Sequence, residues 1–294
     1  MGATSARDLA SLVRLSHTIF AMPFALASAA LAHRHVVEHG GRGLTVRTLV
    51  LIVIAFTGAR TAAMAFNRIV DRDIDAANPR TANREIPRGA VSVRTAWGLC
   101  AAASAVFLAA AVALGPWPAR LAPPALAIVL LYSLVKRVSW VAHLVLGVAL
   151  ALSPGGAWVA VTGGFDGWPQ PLALMVAVAT WVAGFDVLYS LQDRAFDARH
   201  GLHSIPVRFG VTGALVLSAL LHLGTVAALV VLHRTAGLGP FHLAGIVTIA
   251  GLLAYEHALV RPSDLSRIDR AFFDLNGYVS LVYLLCTIVE TWNA

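Results

Sequence analysis

Stretches of about 20 mostly apolar residues, the length that carries a helix across ~30 Å of hydrocarbon, recur along the whole chain. Nine of them run over approximately residues 12–33, 46–70, 93–114, 119–135, 139–161, 170–190, 211–232, 239–258 and 272–292. Gly/Pro-rich or charged segments separate them, as in Gly115-Pro116-Trp117-Pro118 and Thr162-Gly163-Gly164-Phe165-Asp166-Gly167-Trp168-Pro169. The pattern predicts an all-α integral membrane protein: one bundle over residues 1–294 with about nine transmembrane helices and no soluble domain left over. Arg7 and Arg14, followed by an Ala-rich run ending Ala30-Leu31-Ala32, imitate a cleavable secretory signal. The apolar stretch is long for such a signal, and it reads as the first membrane helix.

Composition sharpens this picture. Hydrophobic residues make up 58% of the 294, charged residues only 13%, and the mean hydropathy is +0.75. That excludes a soluble globular domain, which carries roughly twice the charge, and disorder, which needs low hydrophobicity. The basic excess, 22 Lys+Arg against 15 Asp+Glu, lies between the apolar runs instead of on one polar face, so it reads as membrane topology and not as a nucleic-acid surface. With the N-terminus cytoplasmic, 15 basic residues fall on the inner side and five on the outer, while Arg60 and Arg68 lie within the second helix. The expectation is a multi-pass protein of the inner (cytoplasmic) membrane with its active site facing the cytoplasm. Cys100 and Cys286 sit in apolar runs and form no redox or disulfide motif.

Against this apolar background the informative residues are the ionisable ones, each costing several kcal/mol in the membrane unless paired, hydrated or metal-bound. At the end of the second helix, Asn67, Asp71 and Asp75 stand at i, i+4 and i+8, one stripe of oxygen ligands if the helix continues. Such a set suits a hard divalent cation, and Mg²⁺ takes one or two carboxylates and completes its shell with water and phosphate oxygens. At the end of the sixth helix Tyr189, Asp193 and Asp197 repeat the spacing, with Asp186 three residues earlier on nearly the same face. The offset from Asn67 to Tyr189 is 122 residues, which predicts two similar halves. One such motif at a membrane boundary is ordinarily solvated loop charge. Two at equivalent helix ends point to a site.

Basic residues surround the acids: Arg80, Arg84, Lys136, Arg137, Arg194, Arg199 and Arg208. Topology alone explains basic loops but not their mixing with clustered acids. Metal-binding acids and phosphate-binding cations together hold a diphosphate at the water–lipid boundary, and the greasy bundle behind it implies a hydrocarbon tail. An isoprenoid diphosphate fits. The leaving diphosphate needs Mg²⁺ and cations, and the allylic cation needs shielding by aromatic faces, for which Tyr132 and Tyr189 are the candidates, with Phe20 and Phe66 more distant ones.

Arg60-Thr61-Ala62-Ala63-Met64-Ala65-Phe66-Asn67 through Asp75, with Arg80-Thr81 and Arg84 downstream, resembles the first signature of the UbiA superfamily of intramembrane aromatic prenyltransferases. Tyr132-Ser133-Leu134-Val135-Lys136 resembles that family's Y-x-x-x-K element, and Gly184-Phe185-Asp186 through Asp197, followed by Gly201 and Arg208-Phe209-Gly210, its second Asp-rich signature. The resemblance implies nine helices around a lipid-open cavity, Mg²⁺ held through Asn67, Asp71, Asp75, Asp193 and Asp197, and Tyr132 and Lys136 near the diphosphate. Residues 14–25 and 201–206 are similar to a 4-hydroxybenzoate polyprenyltransferase-like subgroup, some of whose members belong to the futalosine route of menaquinone synthesis. Two positions depart from the commoner pattern: His203, where Lys is usual, and Arg68, where Asp is frequent.

The resulting expectation is transfer of a polyprenyl group from its diphosphate to an aromatic carboxylic acid, 4-hydroxybenzoate or a dihydroxynaphthoate. Two Mg²⁺ ions, one per cluster, would bridge the diphosphate, and Arg80, Arg84, Lys136 and Arg199 would neutralise it. Arg14 or Arg60 would clamp the acceptor's carboxylate, and Asp186 would orient or deprotonate the acceptor. The rivals are an ion-coupled transporter, which needs charge near the midplane and not at one face, and a family member with a chlorophyll- or tocopherol-type acceptor. Of the remaining polar residues, His33, His35, His39 and Glu38 read as a solvated outer loop. His143, His222 and His257 are expected to pair within the bundle or lie near its ends, and Asp274 and Asn276 to back the site.

Overall fold

A computed structural model describes residues 5–13, 18–262, 264–265, 267–268 and 274–292. Its helices are α1 (Ala6–Leu12), α2 (Thr18–Glu38), α3 (Val46–Val70), α4 (Arg72–Ala77), α5 (Val93–Leu114), α6 (Pro116–Val135), α7 (Ala142–Thr162), α8 (Pro169–Ser190), α9 (Arg194–Arg199), α10 (Ile205–Thr235), α11 (Pro240–Leu259) and α12 (Asn276–Trp292). Among the described residues nine helices have 17 or more residues, and seven of them, α3, α5, α6, α7, α8, α10 and α11, are long and apolar enough to cross a membrane. The other two are α2, whose last turns carry His33-Arg34-His35, and α12, which is 17 residues long.

Helix ends differ from the hydropathy pattern by a few residues, because polar turns still satisfy their backbone by helical hydrogen bonding. α2 extends to Glu38, so His33 and His35 lie on a helix and not in a loop. α10 begins at Ile205, six residues before the apolar run, and contains Gly210 at φ 72°, where two helical segments join. Neither Asp-rich stripe lies on one continuous helix: α3 stops at Val70 and α4 follows, while α8 stops at Ser190 and passes through a short 3₁₀ turn, Leu191–Asp193, into α9. The same construction thus occurs twice. From Arg72 to Arg194 and from Ala77 to Arg199 the offset is 122 residues, as from Asn67 to Tyr189.

Without a hydrophobic drive between helices, membrane bundles rely on close packing through small residues. α8 is the most buried helix and packs against α7 and α10. At its core Trp181, fully buried, meets Phe24 of α2 with ring centroids 4.9 Å apart, and Phe24 stacks on Tyr283 of α12 at 4.9 Å. The α7–α8 approach depends on Gly147, where a Cβ would lie 2.2 Å from the Ala179 carbonyl oxygen. Pro154 inside α7 withholds an N–H from the Leu150 carbonyl, and Ser153 Oγ donates to that oxygen instead (2.8 Å). Outward-facing Leu220, Leu223, Val247 and Leu285 are more than half exposed, as a lipid-facing surface requires.

Gly147→Ala is expected to cost about 1–3 kcal/mol of stability by overpacking. Gly98→Ala, whose added Cβ meets nothing within 4 Å, should be neutral or gain up to about 1 kcal/mol from helix propensity. Thermal unfolding in detergent compares the two; equal behaviour would refute the close approach.

Candidate active site

The breaks after α3 and α8 place acids where two backbones turn. Asp71 departs from helical geometry (φ −92°, ψ 2°), yet its N–H still donates to the Asn67 carbonyl (2.9 Å) and its own carbonyl accepts from the Asp75 N–H (2.7 Å). The i, i+4, i+8 stripe therefore survives the break. The Asp71 carboxylate is 2% exposed. Lys136 Nζ (2.5 Å) and Asn67 Nδ2 (3.0 Å) donate to its Oδ2, and Arg137 (3.2 Å) donates to its Oδ1. Asp75, equally hidden, accepts from Arg84 Nη1 on Oδ1 (2.6 Å), while its Oδ2 is buried with no partner.

The second cluster joins the first through the loop after α4. Asn78 and Arg80 both reach Asp193: Asn78 Nδ2 and Arg80 Nε each donate to Oδ1 at 2.9 Å, and Arg80 Nη2 donates to Oδ2. Arg80 Nη1 also donates to the Tyr189 hydroxyl (2.9 Å), and the guanidinium carbon lies 5.1 Å from that ring's centroid. Charge-assisted bonds of this kind are the stronger ones. Asn67, Asp71, Asp75, Arg80, Arg84, Tyr132, Lys136, Asp186, Tyr189, Asp193 and Asp197 line one polar chamber of about 290 Å³. His203 lines it too, and its backbone N–H donates to the Lys136 carbonyl (2.8 Å).

Behind the chamber lies an apolar tunnel of about 570 Å³ between α3, α5, α6, α7 and α8. Met64, Tyr132, Leu146 and Asp186 line both spaces, so the two meet there. Arg60 lines the tunnel, and its Nε is buried without a partner.

Some predicted positions fall elsewhere. Arg199 is exposed on the last turn of α9 and is not part of the chamber's lining; it stands two residues beyond Asp197, on another side of that helix. The Phe66 ring packs edge-on against Trp97 (5.9 Å) outside both spaces. Arg14 and the Phe20 side chain lie outside the described residues. Among the described residues no three His, Cys, Asp or Glu groups converge to hold a metal as they stand; cations occupy Asp71, Asp75 and Asp193 instead.

Sequence reasoning gave no specific role to three contributors. Asn78 had a local signal, a polar residue before Pro79 where a helix must end. Arg137 was legible only as loop charge. His143 was one of several histidines on apolar helices, but its Nδ1 lies 2.7 Å from Asp186 Oδ2, and the Ile205 N–H points to its Nε2 (3.4 Å). With Nε2 as acceptor, Nδ1 carries the proton that is donated to Asp186. His222 and His257 pair as expected (3.0 Å), and Asn276 is bonded within the bundle to Trp181 and to the buried Glu256, at a remove from the chamber.

Helices long and apolar enough for a bilayer, a chamber of opposed charges and an apolar tunnel opening from it define a multi-pass membrane protein built for an amphiphile with a charged head. Residues 21–278 match the UbiA prenyltransferase family, and the chain belongs to that family. It is a prenyltransferase. It is 28% identical over 247 residues to a 4-hydroxybenzoate octaprenyltransferase of Vibrio cholerae serotype O1, covering 84% of this chain and 86% of the relative. An apo structure of a UbiA homolog from Aeropyrum pernix K1 superposes with a TM-score of 0.84 at 36% identity, over 93% of this chain and 98% of that one. A UbiA homolog from Archaeoglobus fulgidus bound to DMAPP and Mg²⁺ shares the fold, with a TM-score of 0.75 at 20% identity over 98% and 100% of the two chains.

Removing one partner of a buried ion pair leaves an uncompensated charge. Arg84→Met, which strips the cation from Asp75, is expected to cost about 3–5 kcal/mol, and adding Asp75→Asn should recover most of it. Thermal unfolding of the single and double variants tests this; a loss unchanged by the second substitution would contradict the pairing.

Proposed function

We propose that this chain transfers a polyprenyl group from a polyprenyl diphosphate to an aromatic acid, 4-hydroxybenzoate or a dihydroxynaphthoate, in an Mg²⁺-dependent step of ubiquinone or menaquinone biosynthesis. The observation that carries the reading is the junction of the two spaces at Tyr132 and Asp186, which sets an ionic head group and a hydrocarbon tail on either side of one point. The relative named as a 4-hydroxybenzoate octaprenyltransferase supports the first acceptor. All nine long helices are read as spans, the N-terminus as cytoplasmic, and the chamber as facing the cytoplasm of the inner membrane, in keeping with the distribution of Lys and Arg.

The donor set fits Mg²⁺. Asn67, Asp71, Asp75, Asp193 and Asp197 offer only oxygens of the hard kind such an ion prefers, and Asp75 presents a buried Oδ2 with no other partner. When bound, Mg²⁺ supplies charge that stabilises the departing diphosphate. Arg80, Arg84 and Lys136, already inside the chamber, bind the diphosphate's remaining oxygens. Tyr132, at the junction, and Tyr189, in the chamber, would stabilise positive charge on the allylic carbon through their ring faces. Arg60, with its unpartnered N–H, takes the acceptor's carboxylate. His143 fixes the Asp186 carboxylate, which accepts the proton released as the ring carbon bonds to the prenyl group. Apolar tunnel walls exclude the water that would otherwise capture the cation.

Asp71→Ala and Asp193→Ala are each expected to reduce Mg²⁺-dependent transfer by at least about a hundredfold while the protein still inserts and folds. Full activity in both would refute the assignment. Arg60→Ala should raise KM for the aromatic acid about tenfold, the equivalent of ~1.4 kcal/mol, and leave KM for the prenyl diphosphate unchanged; steady-state kinetics varying each substrate separates the two.

A further inference from the structure

We propose that the short helix α1 is a strap that positions Arg84 for the diphosphate through Ser11 and Asp8, and that these two residues thereby tune affinity for the prenyl donor. The inference rests on the reading that Arg84 binds the diphosphate. Arg80 and Arg84, two of the three cations assigned to that group, stand on residues 78–91, a run of turns and bends between α4 and α5. Such a segment has little regular backbone bonding of its own, so the groups that touch it set its shape.

The chamber holds part of it. Arg84 Nη1 donates to the Asp75 carboxylate, and Thr81 Oγ1 donates to the Asp75 backbone carbonyl (3.0 Å). Further contacts come from α1. Ser11 Oγ donates to Glu85 Oε1 (2.5 Å), and Arg88 Nη2 donates to Asp8 Oδ1 (2.9 Å). Asp8 and Ser11 are three residues apart and share one face of α1. Their partners belong to the turn that starts at Arg84: the Arg88 N–H donates to the Arg84 carbonyl (3.0 Å), and the Val91 N–H donates to the Glu85 carbonyl (3.0 Å). Both contacts therefore grip the stretch of backbone that carries the Arg84 side chain.

Docking also sustains α1. At seven residues it is far shorter than a helix that persists alone in water. A capping box between Ser5 and Asp8 satisfies N–H groups at its start. Leu12, fully buried, and Val13 sink into the apolar cluster that contains Ile86 and Val91 of the segment and Ala65 of α3. Ile86 lies between Glu85 and Arg88, so apolar and polar contacts join the same two pieces of chain. Glu85 is itself buried, and a hydrogen bond to a hidden carboxylate is one of the stronger kind. The Asp8–Arg88 pair, with Arg88 half exposed, contributes less. Neither Ser11 nor Asp8 lines the chamber, so both act through Arg84 as positioning residues. A turn held in advance costs less to order when the diphosphate arrives, and the restraint therefore acts on donor binding and not on the chemistry that follows.

The test uses purified full-length wild type, Ser11→Ala, Ser11→Thr and Asp8→Asn. Each is assayed with Mg²⁺, farnesyl diphosphate and whichever of the two proposed acids the wild type prenylates, varying each substrate in turn. Hydrogen exchange over residues 84–91 is followed in the same proteins without substrate. Ser11→Ala is expected to raise KM for the diphosphate about three- to tenfold, to leave kcat and KM for the acid unchanged, and to speed amide exchange at Arg88 and Val91. Ser11→Thr, which keeps the hydroxyl, should match wild type in both measurements, and Asp8→Asn should raise the same KM about twofold. If Ser11→Ala does not fold, Asp8→Asn decides by the same criteria. An unchanged KM for the diphosphate, a fall in kcat alone, or a Ser11→Thr variant that behaves like Ser11→Ala overturns the positioning role. A wild type that prenylates neither acid overturns the functional reading instead. Exchange then still decides whether α1 holds the turn, because equal rates in wild type and Ser11→Ala contradict it.

Discussion

The structure depends on charge compensation at the mouth of an apolar bundle. A carboxylate as hidden as that of Asp71 costs several kcal/mol if left unpaired, and here Lys136, Arg137 and Asn67 share it. Asp75 and Asp193 are held in the same way by Arg84 and Arg80. Because each cation comes from a different element than its acid, the pairs fix the ends of α3, α6 and α8 and the loop after α4 around one volume. The chamber exists because those charges have nowhere else to be satisfied. In the proposed reaction the same cations serve twice, compensating the acids in the resting protein and meeting the diphosphate when the substrate is bound.

The tunnel supplies what the chamber lacks. It is apolar and joined to the charges at Tyr132 and Asp186, so in the proposed reaction an allylic carbon at the junction has ionic groups on one side and apolar walls on the other. Asp186, held by His143 at the junction, and Arg60, with its unpartnered N–H in the tunnel wall, are the polar groups the proposed reaction assigns to the acceptor. At the opposite end, the His35–Asp166 pair and the Trp158 indole hold the α7–α8 loop over the tunnel.

The bundle was legible because a membrane span must be long and continuously apolar, a strong signal even without alignment. The Asp71 and Asp193 clusters were legible because acids are so costly in that setting that two sets at equivalent helix ends demand a reason. What stayed hidden was pairing across distance: nothing local connects Arg80 to Asp193, 113 residues away, or His143 to Asp186. Arg199 looked like its neighbours in composition, but it stands two residues beyond Asp197, on another side of the short helix α9, and is exposed there. His33 and His35 were misplaced because polar residues at the end of a span read as loop, while the backbone of α2 continues helically through them.

The central claim is that one continuous space brings a prenyl diphosphate and an aromatic acid to the same point for covalent transfer. The most direct measurement incubates membranes or proteoliposomes containing the protein with a prenyl diphosphate and a panel of aromatic acids, with Mg²⁺ or with a chelator, and identifies products by mass. A product whose mass is that of one acid plus the prenyl group, formed with Mg²⁺ and absent with the chelator, is the predicted result. Movement of the diphosphate across the membrane with no covalent product would contradict it and favour a carrier.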